Sequence, residues 1–128
     1  MPSDTALDEL RAACPTISVG ILTADLMALG AELAVLEKAG VKLVHIDVMD
    51  ACFTPTMTVG PPFIKAMRTS LLKDVHLMID EPLDKLGDYV AAGADLIVTG
   101  SAVFDGKSPA ANARFMLERV AAARRRAG

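Results

Sequence analysis

Residues 43–50 read Leu-Val-His-Ile-Asp-Val-Met-Asp. Successive side chains of a β-strand point to opposite faces, so this stretch sorts itself into two rows. Val44, Ile46 and Val48 form an apolar, β-branched row. His45, Asp47 and Met49 form the other, placing an imidazole beside a carboxylate. Burying such polar groups is costly unless something uses them. The stretch therefore predicts a strand covered on one side and functional on the other.

Working outward, strands and helices alternate. Thr16 to Leu22 predicts a strand, weakened at Gly20. Thr23 or Asp25 offers an N-cap for a helix over Leu26 to Ala39, which Gly40 ends. The second strand spans Lys42 to Met49, and a loop with Pro55 follows from Asp50 to Val59. Pro61 and Pro62 open a helix to about Thr69. Asp74 to Ile79 predicts a third strand, and Glu81-Pro82 a helix to Ala92, ended by Gly93. Asp95 to Thr99 predicts a fourth strand, Gly100 to Lys107 a loop, and Ser108-Pro109 the start of a last helix. Four βα units with near-continuous apolar strands indicate the α/β class with a parallel sheet and helices outside it. Residues 1–15 read as an N-terminal arm or short helix, and 16–128 as a single domain. The repeat of Ala39 to Asp47 (AGVKLVHID) in Ala92 to Gly100 (AGADLIVTG) is explained by the likeness of αβ turns.

The 128 residues suit one domain, with 52% hydrophobic and 23% charged residues. A net charge of -3 and 4% aromatic residues argue against a nucleic-acid partner. No apolar run reaches the length of a membrane span. The acidic N-terminus lacks signal-peptide character. Cys14 and Cys52, without tight spacing, suggest neither a zinc motif nor a disulfide framework, and a cytoplasmic setting is the expectation.

The chain has two histidines, His45 and His76, both in expected strands. His76 and Met78 share a face, as do His45 and Asp47. Neighbouring strands lie about 4.8 Å apart, so the imidazoles and Asp47 would converge near the strands' C-terminal ends, where sheets and barrels of this class place their sites. A lone strand histidine is most simply a buried imidazole bonded to backbone. Two of them with an in-phase aspartate favour a divalent-metal site suited to Zn, Fe or Mn. Met49 and Met78 are either core filler or pocket lining. Gly100-Ser101 offers backbone N–H groups and a hydroxyl suited to phosphate, or is only a turn. Cys52 reads as filler, and Arg124 to Arg126 as a solvated helix end.

These motifs resemble those of the ribulose-phosphate 3-epimerase family. ISVGILTADLMALG (17–30) is similar to its first strand and turn, and LVHIDVMDACFTPTMTVGP (43–61) to its His-x-Asp-x-Met-Asp signature and loop. DVHLMIDEP (74–82) is similar to its His-Leu-Met strand, and GADLIVTGSAVFDGKSPAANARFM (93–116) to its last strand and helix. The resemblance implies metal-assisted interconversion of ribulose and xylulose 5-phosphates, part of the pentose phosphate pathway. It implies a divalent cation (Zn, Fe, Mn or Co) held by His45, Asp47 and His76, with Asp47 also an acid/base group. Gly20, His76, Met49 and Met78 would contact the substrate, and Gly100 and Ser101 its phosphate. Gly20 stands where the family usually has a serine, and Ala51-Cys52 replaces the commoner Gly-His.

The family fold is a (β/α) barrel of eight units and about 250 residues; this chain supplies four, a partial barrel. A second acid/base aspartate is absent with the missing strands. The chain reads as one shortened between two Ala-Gly-Ala-Asp turns. Two functions stand: a phosphopentulose epimerase, or a catalytically inactive relative that binds metal or a partner. Open sheet edges would favour pairing of two copies. Strand order stays open between sequential 1-2-3-4 and a barrel order with the last strand beside the first.

Overall fold

A computed structural model describes residues 4–127. Helix α1 (Asp4–Ala13) precedes β1 (Ser18–Gly20), α2 (Leu29–Lys38), β2 (Leu43–Met49), α3 (Pro61–Ala66), β3 (Leu72–Met78), α4 (Pro82–Ala91), β4 (Leu96–Val98) and α5 (Pro109–Ala127). The strands form one parallel sheet in the order β1-β2-β3-β4. The order is therefore sequential, and β4 does not lie beside β1. Each βα crossover is short enough to return the chain to the neighbouring position.

The alternation of β2 decides which face the helices cover. Val44, Ile46 and Val48 are at most 2% exposed, while Leu43, His45, Asp47 and Met49 are half-buried. Val75 of β3 joins the apolar row, and Leu33 of α2, Ile64 of α3 and Tyr89 of α4 pack against it. Burying a Val or Ile side chain stabilises the fold by about 1.5–3 kcal/mol. Helix α5 packs outside α4, burying Met116 and Ala123. The opposite face of the sheet carries no helix among the described residues.

Local chemistry sets the element ends. A short 3₁₀ turn, Leu26–Ala28, precedes α2, and its N-cap Asp25 accepts the amide of Met27 at 3.0 Å. Gly40 and Gly93 take φ of +87° and +111° after α2 and α4, the left-handed conformation that glycine accepts without a Cβ clash. Helix α3 stops at Ala66, short of the expected Thr69, as Met67 turns extended and Lys73 Nζ donates to the carbonyls of Ile64 and Met67. Strand β3 starts at Leu72, two residues earlier than the sequence suggests, because the amide of Leu72 donates to the Lys42 carbonyl and that of Lys73 to Asp95 Oδ2. Strands β1 and β4 are shorter than expected, three residues each, since each has one neighbour. Of the N-terminal alternatives, a helix forms from Asp4; residues 1–3 lie outside the described residues.

Ile46 is fully buried in the middle of the central row. Ile46→Ala is expected to lower the unfolding free energy by about 2–5 kcal/mol, read from urea denaturation followed by circular dichroism. A loss below about 1 kcal/mol would contradict this packing.

Candidate metal centre

The uncovered face gathers the polar rows of β2 and β3, with Ser18 and Gly20 of β1 on one side and the apolar Leu96 and Val98 of β4 on the other. In the β2–β3 register His45 stands opposite Asp74, Asp47 opposite His76, and Met49 opposite Met78. Gly20 lies opposite His45 on the other side. A Cβ at Gly20 would meet nothing within 4 Å, so the β1 side of His45 is open.

Three sequence-expected residues come together. His45 Nε2 lies 3.0 Å from Asp47 Oδ1, and His76 Nδ1 lies 3.3 Å from the same oxygen. The two imidazole centroids are 5.8 Å apart. One ligand atom from each residue falls within 4.8 Å of the other two, so a single cation could contact all three. A neutral-imidazole and carboxylate donor set suits zinc, iron or manganese. The residues thus fit the ion that the sequence implies, and a structural feature reinforces the fit. The second nitrogen of His45, Nδ1, lies 3.0 Å from Asp74 Oδ2, leaving Nε2 directed at Asp47.

Burial alone would lower the pKa of His45. The hydrogen bond and charge of Asp74, then the charge and hydrogen bond of Asp47, outweigh it and hold the imidazole above its ordinary value of 6.5. Two carboxylates around one ring favour the imidazolium when no other cation shares the site.

Gly100 and Ser101 follow β4 and are exposed. With the sheet in sequential order, they stand on the far side of His76 from His45, and β2 and β3 separate them from the Gly20 strand. They nevertheless share an open cleft of about 240 Å³ with His76 and Met78. His45, Asp47, Met49 and Gly20 do not line that cleft. The site is therefore split, with a ligand cluster on β2 and β3 and a cleft reaching from His76 to the β4 loop.

Sequence reasoning missed three contributors. Asp74 was expected only as the first residue of its strand; its place two residues before His76, on the same face, was the available signal. Thr58 clamps the end of β2: its hydroxyl donates to the Asp47 carbonyl at 2.6 Å and accepts the Met49 amide at 3.0 Å. Asp50 organises the rim, accepting the amides of Cys52 and Phe53 through Oδ1 and that of Asp80 through Oδ2. Asp50, Cys52 and Asp80 also cluster, but Asp50 already has these amide donors and the group is at the surface. Both thiols are free and exposed.

A half-buried His-Asp-His cluster on one face of a parallel sheet, with helices packed on the other, defines a protein of the (β/α) class with a candidate metal centre. Comparison with known proteins narrows this. Residues 16–99 match the Ribulose-phosphate 3 epimerase family, and the chain belongs to it. Ribulose-phosphate 3-epimerase of Bacillus subtilis (strain 168) is 46% identical over 83 residues, covering 63% of this chain and 38% of the relative. The chloroplastic ribulose-5-phosphate-3-epimerase of Arabidopsis thaliana is 43% identical over 83 residues, 63% of this chain and 30% of the relative. The ribulose-phosphate 3-epimerase of Treponema pallidum (strain Nichols) is 44% identical over 84 residues, 64% and 38% respectively. The matched region thus spans between 30% and 38% of the length of these relatives. Gly100 and Ser101 lie beyond the family match.

Three amide donors, that of Asp80 foremost, then Cys52 and Phe53, hold the Asp50 carboxylate down to about 2 from an ordinary 3.8. Its folded pKa is depressed, so the rim is fully supported above pH 3.8 and loses that support as pH falls through about 2. Relative to the intrinsic rate at each pH, amide exchange at Cys52, Phe53 and Asp80 is expected to accelerate over that window. Asp50→Asn should accelerate it already at neutral pH; unchanged exchange in the variant would contradict the assignment.

Proposed function

We propose that this chain carries the metal-binding and proton-abstracting wall of a phosphopentulose 3-epimerase, acting on D-ribulose 5-phosphate and D-xylulose 5-phosphate. The single observation that carries the reading is the convergence of His45, Asp47 and His76 on one point of the uncovered sheet face. In this reading those three residues hold a divalent cation. When bound, the cation would lower the energy of negative charge developing on the substrate's oxygens.

The chain's own residues supply the base and the walls of the site. Asp47 takes the proton from the carbon beside the ketone, and the C–H electron pair moves into an ene-diolate. Water reaching the open face would return a proton to the opposite side of the ene-diolate and give the epimer, while Asp47 releases its own proton to solvent. His76 faces both the cluster and the cleft, so a sugar in the cleft would reach Asp47 past His76. Met78 gives the sugar an apolar wall in the cleft, and its register partner Met49 would continue that wall toward the cluster. The exposed Gly100-Ser101 turn receives the phosphate, and Gly20 leaves room beside His45. The setting in this reading is cytoplasmic. Among the described residues no helix is long and apolar enough to cross a membrane. Two copies meeting at their open β1 and β4 edges would enclose the uncovered face.

One observation favours a second reading, metal binding without epimerisation: the cluster holds one carboxylate. A single base can return a proton only to the face it came from. Ribulose 5-phosphate incubated with manganese-loaded protein in D₂O, followed by NMR, separates the two. Appearance of xylulose 5-phosphate supports the epimerase. Deuterium at carbon 3 without the epimer supports the second reading. Asp47→Ala should remove both signals; persistent turnover would overturn its role as the base.

The raised pKa of His45 sets a pH dependence. A cation must displace the proton from the ring, so binding weakens as pH falls through that raised value. Below it, zinc affinity measured by chelator competition should drop by up to about tenfold per pH unit. A flat profile between pH 5 and 8 would speak against His45 as a ligand.

A further inference from the structure

We propose that Asp74 is a positioning residue: its carboxylate takes the Nδ1–H of His45 and so fixes Nε2 as the nitrogen offered to the cluster. The proposal rests on the reading of His45 as a ligand and adds a residue to it.

Three observations carry it. Asp74 is the register partner of His45 on the adjacent strand, so backbone pairing, rather than a flexible loop, sets their approach. Oδ2 lies 3.0 Å from His45 Nδ1 and also accepts the Ser18 hydroxyl at 3.1 Å, so β1, β2 and β3 all contribute to holding the ring. The Asp74 side chain is only 13% exposed, and its Oδ1 is buried without a hydrogen-bond partner. A strand that needed a polar filler here would be better served by a neutral side chain, because an unpaired carboxylate oxygen is costly to bury. A carboxylate is favoured where it must accept strongly from an imidazole. Ligating histidines commonly donate their other ring N–H to such a group, which fixes the tautomer and raises the basicity of the ligating nitrogen. Asp47 cannot serve this role, since it faces Nε2 and His76.

Asp74→Asn keeps the shape but weakens the acceptor and can turn its NH₂ toward the ring. Zinc affinity, by competition with a chromophoric chelator, is expected to fall by about 10–100-fold. The hydrogen-bonded Nδ1–H proton of His45, assigned by ¹⁵N-edited NMR in protein without metal, should move or vanish. Unchanged affinity together with an unchanged Nδ1–H signal would overturn the proposal. Ser18→Ala guards against a misfolded Asp74→Asn, since it leaves Asp74 in place and only frees its carboxylate. A shifted Nδ1–H signal in that variant supports the proposal, and no change in signal or affinity opposes it. If the wild-type chain takes up no zinc, the ligand assignment fails. The NMR signal then still decides whether Asp74 orients the ring.

Discussion

The register between β2 and β3 is the constraint on which the rest of the site depends. It sets Asp47 against His76 and His45 against Asp74 with no help from loops. A shift of one residue would carry every polar side chain of β2 into the helix-covered core and expose Val44, Ile46 and Val48. The same apolar row that stabilises the domain therefore fixes the site's geometry. Stability and chemistry are two faces of one strand.

Around that pair the structure adds layers of orientation. Asp74 and Ser18 hold His45 from the N-terminal side of the face. Thr58 ties the following loop to the backbone of Asp47 and Met49. Asp50 joins the ends of β2 and β3 by accepting amides from both loops. Asp47 itself stands between two imidazoles that it contacts through one oxygen. The arrangement is a set of polar side chains on sheet strands, with a hydrogen-bonded loop rim above it.

Much of this was legible in the sequence. Period-two alternation in residues 43–50 identified β2 and its faces, and the in-phase His76 identified the second half of the cluster. Proline at helix starts and glycine at helix ends placed the βα units. Family resemblance, carried by the same motifs, matched the comparison over residues 16–99. Boundaries were less legible where a distant partner decides them. Lys73 caps α3 and Asp95 draws in the start of β3, and neither contact has a local signature. Asp74 escaped notice for this reason: at the first position of an expected strand it looked like a boundary residue, whereas two further residues of pairing place it inside the sheet.

The sequence by itself determined which residues form the polar row, because side-chain alternation is a property of each strand alone. It determined the apolar row, the glycine ends of α2 and α4 and the identity of the clustered residues for similarly local reasons. Only the tertiary structure decided that the strands run in the order β1-β2-β3-β4, which sets Gly100-Ser101 beside His76 and away from Gly20. Only it decided that Asp74 meets the ring of His45. Strand order and register are relations between segments distant in the chain. They follow from how the helices pack over the sheet, and no single stretch of residues encodes them.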